Sequence, residues 1–500
     1  MILLCTLNAR YIHCSLGLRY LYANMEELQT RSRIIEFMIS QRPIDIAEQI
    51  LQQQPKIVGF GVYIWNISQT TEVISILKAL RPQLKIILGG PEISYETEQS
   101  PAFGYADFII TGQGDFAFRD LCRDLLAARP SLNKIIHAAP FHPQQLKLPY
   151  QYYSDEDIRQ RVLYVEASRG CPFKCEFCLS SLDKTAQPFD IEQFLGEMEK
   201  LYQRGARHFK FVDRTFNLNI KTSRRILQFF LQKPLDDLFL HFELIPDRLP
   251  DELKTLIEQF PAGSLQFEIG IQTFNPEVQQ RISRRQDHQK TLANLRYLFN
   301  HTAVHLHTDL IAGLPGEDLA SFARGFDLLI SLQAQEIQMG ILKRLRGTPI
   351  IRHSETFDMV FNPNPPYTVL STSTMDSTTL FRINRFARYW DMIANSGRFA
   401  HCLPDILGEQ PFDRFMALSD WLFETTQQTH KIALPRLFKL LHDYHASEQF
   451  TELLQKDFER SGIKGRFDAV TGADKKGDRK APAASSRQQR HLPRQPTCQT

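Results

Sequence analysis

Short apolar runs alternate with stretches of helical periodicity through the first 140 residues. The runs at 2–7, 34–39, 56–62, 85–88 and 108–110 read as strands, and segments 16–28, 45–53 and 68–80 carry apolar residues at helical spacing. Strands that are apolar throughout, rather than at alternate positions, belong to a parallel sheet covered by helices on both faces. Strands one, three, four and five run into polar or glycine-containing stretches: Asn8-Ala-Arg-Tyr, Tyr63-Ile-Trp-Asn, Gly89-Gly90-Pro91-Glu92 and Thr111-Gly112-Gln113-Gly114. The carboxyl ends of parallel strands are where such sheets take ligands.

A polar stretch rich in Pro, Gln and Tyr over 139–161 reads as a linker, after which a second alternation begins. Strands are predicted at 163–167, 208–212, 239–244, 265–271, 304–311 and 336–342, each of the first five followed by a helical stretch. Six βα units in this space suggest an incomplete (β/α)6 barrel of the TIM type. Beyond residue 351 amphipathic helices take over, at 378–394, 413–425 and 436–454. Phe381, Phe386, Tyr389 and Trp390 recur there at helical spacing and read as core. The expected fold class is α/β, with a flavodoxin-like doubly wound domain at 1–138, a linker at 139–161, a barrel at 162–350 and a helical domain at 351–470. Residues 471–500 are too polar to bury a core and are expected to be disordered.

Composition adds exclusions. Five hundred residues, 43% hydrophobic and 23% charged, exclude a disordered or peptide-sized protein. The formal charge of +3 is concentrated in the last thirty residues, which carry +5 and leave the body near −2. So neutral a body does not gather nucleic acid over its surface. Apolar runs stop near ten residues, and no basic region precedes Ile2-Leu-Leu, so a cytoplasmic protein without membrane spans is expected. Eight cysteines do not make a disulfide scaffold.

Three of those cysteines, Cys171, Cys175 and Cys178, sit in Ser168-Arg-Gly-Cys-Pro-Phe-Lys-Cys-Glu-Phe-Cys, directly after a predicted strand. Three thiolates without a fourth can hold three irons of a 4Fe-4S cluster and leave one iron open to a substrate or cosubstrate. A structural zinc site would need a fourth ligand and shows paired Cys-x-x-Cys or Cys-His spacing. His208 and His241 are the nearby imidazoles, and both fall inside predicted strands.

The motif, with Phe177 before its last cysteine, resembles the signature of the radical S-adenosylmethionine (SAM) superfamily. The resemblance implies that Cys171, Cys175 and Cys178 ligate the cluster, that S-adenosylmethionine binds the open iron, and that Phe177 lies beside its adenine. Matches continue at strand ends. Asp213-Arg-Thr-Phe-Asn resembles the segment that contacts the methionine amino group, although the usual glycine pair and Glu are absent. Glu243 ends the third strand, where a polar residue reaches the ribose. Glu268-Ile-Gly-Ile-Gln272 and Asp309-Leu-Ile-Ala-Gly-Leu-Pro-Gly-Glu317 resemble the fourth- and fifth-strand motifs, which puts Glu268, Gln272, Gly313 and Pro315 at the cosubstrate. Asp213 and Glu317 also suit plain helix caps, and Gly313 and Gly316 a plain turn.

The first domain resembles the cobalamin-binding domain that precedes the barrel in one radical SAM subgroup. The resemblance implies that Asn8, Tyr63, Gly89, Gly90, Pro91, Glu92, Gly112 and Gly114 line the corrinoid. Many cobalamin proteins place a histidine on cobalt with Asp-x-His-x-x-Gly. Here Tyr11 stands at the Asp position relative to His13, and the glycine is Gly17, one residue late. His13 is therefore not expected to ligate cobalt. The helical end resembles a carboxy-terminal domain found in one branch of these proteins.

The leading expectation is a cobalamin-dependent radical SAM enzyme that uses a 4Fe-4S cluster, S-adenosylmethionine and cobalamin to methylate or rearrange an unactivated substrate. A one-electron reductant such as flavodoxin or ferredoxin is the implied partner. Two alternatives stay open. One is a methylthiotransferase with a second cluster on Cys5, Cys14 and Cys122. The other is a non-catalytic cobalamin or iron–sulfur sensor.

Overall fold

The structure is a computed structural model that describes residues 1–129, 133–183, 185–445, 447–471 and 490. The tail expected at 471–500 lies outside these, except for Thr471 and Arg490. The chain forms two compact units. One comprises Met1–Glu243 with Lys343–Arg352 and Phe361–Thr368; the other comprises Leu244–Leu342, His353–Val360 and the chain from Val369.

The first unit opens with β1 (Ile2–Asn8), α1 (Leu16–Ala23), β2 (Ser32–Met38), α2 (Pro43–Gln52), β3 (Ile57–Gly61), α3 (Ile67–Leu80), β4 (Lys85–Gly89), β5 (Phe108–Thr111), α4 (Asp115–Leu126) and β6 (Ile135–His137). All strands are parallel, in the order β2-β1-β3-β4-β5-β6. Every residue of β1 is buried, because the strand lies inside the sheet and both of its faces are covered. Leu3, Cys5, Leu7, Val58 and Phe60 face one apolar layer with Ile46 and Ile50 of α2 and Val73 and Leu77 of α3. Ile2, Leu4, Ile57 and Ile110 face the other, with Leu18 of α1 and Phe118 of α4. The direction of winding reverses between β1 and β3, and the carboxyl ends at such a reversal are where sheets of this kind take ligands. The sixth strand was not expected; it is three residues long and incompletely buried at the sheet edge, which leaves no continuous apolar run to read.

Residues 139–161, read as a linker, are packed. Tyr150 and Tyr153 are buried and donate to the carbonyls of Glu166 and Tyr164 at 3.0 and 2.6 Å. The polar residues of the stretch build α5 (Asp155–Gln160), capped by Ser154. Asp157 lies 2.8 Å from Arg19 and 2.9 Å from Arg161, and both arginines also pair with Glu36. The two arginines hold Asp157 down at about 2, against the burial that opposes its charge.

The unit continues with β7 (Leu163–Val165), a small antiparallel pair of β8 (Ser168–Arg169) and β9 (Gln187–Pro188), then α6 (Ile191–Gln203), β10 (His208–Phe211), α7 (Ile220–Leu231) and β11 (Phe239–Glu243). Strand β10 runs parallel to β7 and to β11. In the second unit α8 (Asp251–Ile257), β12 (Leu265–Gln272), α9 (Pro276–Arg281), α10 (His288–His301), β13 (His305–Ala312), α11 (Leu319–Ser331) and β14 (Glu336–Ile341) continue the alternation, with β13 parallel to both β12 and β14. This is the βα alternation of an incomplete (β/α)6 barrel.

Helices α12 (Ser377–Ile393), α13 (Leu403–Leu407), α14 (Pro411–Thr426), α15 (Leu434–Tyr444), α16 (Glu448–Arg460) and the short α17 (Phe467–Thr471) follow in the second unit. Phe386, Tyr389 and Trp390 are buried as expected, whereas Phe381 is 51% exposed, on the outer side of α12. The helix expected over 436–454 is two helices, because Ser447 caps a new one by accepting from the Phe450 N–H. No helix among the described residues is long and apolar enough to cross a membrane.

Candidate functional site

The three cysteines lie on the loop that leaves β8. Gly170 has φ +89°, and a Cβ there would stand 2.0 Å from the Thr185 carbonyl oxygen, so the close crossing of the loop on itself requires glycine. The Cys178 N–H donates to the Cys175 carbonyl at 3.1 Å, and Ser181 returns a 2.6 Å bond to the Cys178 carbonyl. Cys171 and Cys175 are each 8% exposed, and burial pushes the Cys171 thiol up, with the other two thiols adding to the effect. At the root of the loop Asp213 accepts from the Ala167 N–H at 3.0 Å and from Ser168 Oγ at 2.6 Å. Its carboxylate is turned inward to brace the loop, and burial pushes it up to about 7. Glu243, at the end of β11, pairs with Arg214 at 2.9 Å. Phe177 lies on the loop between the last two cysteines.

The other predicted group collects on the carboxyl edge of the first sheet. Asn8 ends β1 and donates to Glu36 at 3.0 Å and to the His13 carbonyl at 2.9 Å. Tyr63 follows β3 and stacks on Trp65, the ring centroids 4.4 Å apart, with Trp65 47% exposed. Gly89 and Gly90 follow β4. Gly90 has φ +110°, and a Cβ would meet the Val62 carbonyl oxygen at 2.5 Å, so only glycine lets this turn lie against the end of β3. Gly112, φ +81°, and Gly114 carry β5 into α4. Pro91 continues the β4 turn into Glu92, whose carboxylate is 2.7 Å from the Tyr367 hydroxyl and 3.2 Å from Arg346 Nε. Trp65 and Gly112 are exposed and Tyr63, Gly89, Gly90 and Gly114 half-buried, whereas Glu92 is buried. His13 is tied down: its Nδ1 is 2.7 Å from the Tyr164 hydroxyl.

In the second unit, Glu268, Gly270 and Gln272 occupy alternate positions of β12, and Gln272 has φ +72° at a bulge that ends the strand. The buried Gln272 Oε1 accepts no hydrogen bond among the described residues. The turn after β13 puts Gly313 at φ +84°, where a Cβ would strike Val369 at 2.5 Å, and the Pro315 carbonyl accepts from Arg281. Glu317 is 1% exposed, accepts from Thr273 at 2.5 Å, and is pushed up to about 7 by burial.

Three regions of the chain match family models: residues 2–122 a B12 binding domain, 165–329 the Radical SAM superfamily, and 355–495 a protein of unknown function, DUF4080. The chain thus joins a B12-binding region to a radical SAM region. Among curated relatives it is 23% identical over 55% of its length to 2-(S-pantetheinyl)-carbapenam-3-carboxylate methyltransferase of Streptantibioticus cattleyicolor, matching 45% of that protein. It is 23% identical over 65% of its length to the cobalamin-dependent radical SAM methyltransferase TokK of Streptomyces tokunonensis, matching 53% of it. The chain thus spans about half the length of the curated relatives it matches. Among solved structures it resembles OxsB, described as a cobalamin-dependent S-adenosylmethionine radical enzyme, with TM-score 0.61 and 15% identity over 91% of this chain and 74% of the other. The methyltransferase TsrM from Kitasatospora setae superposes with TM-score 0.59 and 16% identity over 73% of this chain and 79% of its own. At that identity these likenesses establish a shared fold.

The residues of the chain suit the groups that the matched family models imply. Three soft thiol donors on one braced loop are the ligand set of a cluster with an open iron. Among the described residues no three His, Cys, Asp or Glu side chains are gathered closely enough to share one metal ion. The carboxyl edge of the first sheet offers the exposed Trp65 ring and the half-buried Tyr63 ring beside glycine turns, as a flat apolar ring with a polar rim requires.

Some buried polar side chains of the two sheets are not evident from the sequence. Asn66 is fully buried and donates to the carbonyls of Leu7 and Gly61, at 3.1 Å each, pinning the ends of β1 and β3 together. On β13 and β14, His305 is 3.0 Å from Glu336 and His307 is 3.4 Å from Asp309. The alternation His-x-His-x-Asp within an apolar strand was the available signal.

Proposed function

We propose that this chain is a cobalamin-dependent radical SAM methyltransferase acting on an unactivated carbon or phosphorus centre. The observation that carries the reading is the presence, in one chain, of a three-thiol loop and a glycine- and aromatic-lined sheet edge within a B12-binding domain. When bound, a 4Fe-4S cluster, S-adenosylmethionine and cobalamin supply one-electron cleavage of a sulfonium and a transferable methyl group. Cys171, Cys175 and Cys178 would hold the cluster, with Asp213 fixing the backbone from which they project. Phe177, Glu243, Glu268, Gln272, Gly313 and Pro315 would contact S-adenosylmethionine. Asn8, Tyr63, Gly89, Gly90, Pro91, Gly112 and Gly114 would receive the corrinoid, and His13, held by Tyr164, would stay off cobalt. Glu92 supports that site from behind rather than lining it.

A methylthiotransferase with a second cluster is disfavoured by the placement of the remaining thiols of the first domain. Cys5 lies in the apolar layer on one face of the sheet and Cys122 in the layer on the other, so they cannot share a cluster with Cys14. Burial pushes the thiols of Cys5 and Cys122 far up, and that of Cys14 up to about 12. A soluble one-electron donor such as flavodoxin or ferredoxin would supply the reducing equivalents.

The test is anaerobic reconstitution of the full chain. The protein should carry close to four irons and four sulfides, bind hydroxocobalamin and, with reductant, convert S-adenosylmethionine to 5′-deoxyadenosine or transfer its methyl group. Cys175→Ala should lose the cluster and that turnover together. Full turnover in the variant would refute the assignment.

A further inference from the structure

The ten residues that follow the last barrel strand, Lys343–Arg352, belong to the first unit, as do Phe361–Thr368. The two segments support each other: Lys343 bridges Thr368 in antiparallel fashion, and the Arg344 N–H donates to the Tyr367 carbonyl at 3.0 Å. Together they grip the turn after β4. Glu92, 4% exposed, receives the Tyr367 hydroxyl at 2.7 Å and Arg346 Nε at 3.2 Å. Arg346 also donates to the Glu96 carbonyl at 3.1 Å, while Arg344 and the Gly347 N–H share the Glu96 carboxylate at 2.7 and 3.3 Å. Gly347, φ +78°, lies so close to Tyr95 that a Cβ would stand 2.4 Å from the ring. At its other end the same ten-residue segment holds the cysteine loop. The Ile350 N–H donates to the Glu176 carbonyl at 3.0 Å, and Arg352 pairs with the Glu176 carboxylate, which is buried between the second and third cysteines.

A buried carboxylate has to be paired, and one that meets both an arginine and a tyrosine has little capacity left for a ligand. Glu92 therefore serves the backbone of its own turn. We propose that Arg346 is a positioning residue of the corrinoid site: acting through Glu92, it holds the 89–92 backbone in its ligand-receiving conformation from behind. The segment 343–352 is then a strap that anchors the corrinoid turn and the cluster loop to one stretch of chain. This inference rests on the cobalamin reading above.

Titration of the anaerobically reconstituted full-length protein with hydroxocobalamin, followed by its visible spectrum, tests it. Arg346→Met should weaken corrinoid binding about tenfold or more, as loss of a charged hydrogen-bond partner does, while iron content stays at the wild-type level. Arg346→Lys keeps the charge and should recover most of the affinity. Tyr367→Phe keeps the ring, removes the hydroxyl that donates to Glu92 and accepts from Arg346, and should give a loss in the same direction; it decides the matter if Arg346→Met does not fold. Wild-type affinity in Arg346→Met, or in Tyr367→Phe where only that variant folds, overturns the inference. So does joint loss of iron and corrinoid in a folded Arg346→Met, which would mark a merely structural role. If wild-type protein binds no hydroxocobalamin, the cobalamin reading fails and the strap falls with it; if wild type binds and the variants match it, the strap alone fails.

Discussion

Asp213 is a carboxylic acid placed where its charge is costly but its acceptors are needed. Both oxygens are used on Ala167 and Ser168, yet burial raises the group from the ordinary aspartate value of 3.8 to about 7. A group whose folded value lies above its unfolded one contributes stability fully below the unfolded value and loses it as pH rises through the folded one. The protein should therefore lose stability between about pH 4 and pH 7, by at most roughly 1.4 kcal/mol per pH unit from this residue. Asp213→Asn cannot titrate, so its urea midpoint should be less pH-dependent than that of wild type across this window. An unchanged slope would show that the carboxylate is not desolvated. Sequence reading found Asp213 as a strand-end residue but assigned it to the cosubstrate, because its partners, Ala167 and Ser168, are more than forty positions away. Gly90 was legible as a turn glycine; its close approach to Val62 was not.

At the scale of elements, the long apolar runs were readable because strands covered on both faces carry apolar side chains at every position, as β1 does. Elements that lack a full apolar face escaped: β6, with three incompletely buried residues, and α13, with five residues. The break between α15 and α16 was missed for another reason. Both helices present apolar faces, so their periodicity merges, and the boundary is marked only by Ser447. That cap should be worth about 1 kcal/mol. Ser447→Ala should destabilise the protein by roughly this amount in denaturant unfolding, and no measurable change would mean that α16 is held by Phe450, Leu454 and Phe458 alone.

For the whole molecule, two compact units mean that unfolding need not be a single transition. A ligand stabilises only the body that binds it. Hydroxocobalamin at a hundred times its Kd should add about 2.7 kcal/mol to the unit that contains the first domain. Scanning calorimetry of the full chain should show one transition moving up while the other stays, and a thermogram unmoved by the corrinoid would contradict binding in that unit. Which distant residues complete the first unit was not legible, because nothing local in Gly89-Gly90-Pro91-Glu92 points to Arg346, 254 positions later. That separation has a consequence for synthesis. At about 5–20 residues per second, the ribosome makes the Glu92 turn roughly 13 to 50 s before the arginine that covers it. During that interval the nascent amino-terminal sheet carries an uncovered carboxylate on the edge proposed to receive the corrinoid, so this edge takes its final form only as the last third of the chain emerges.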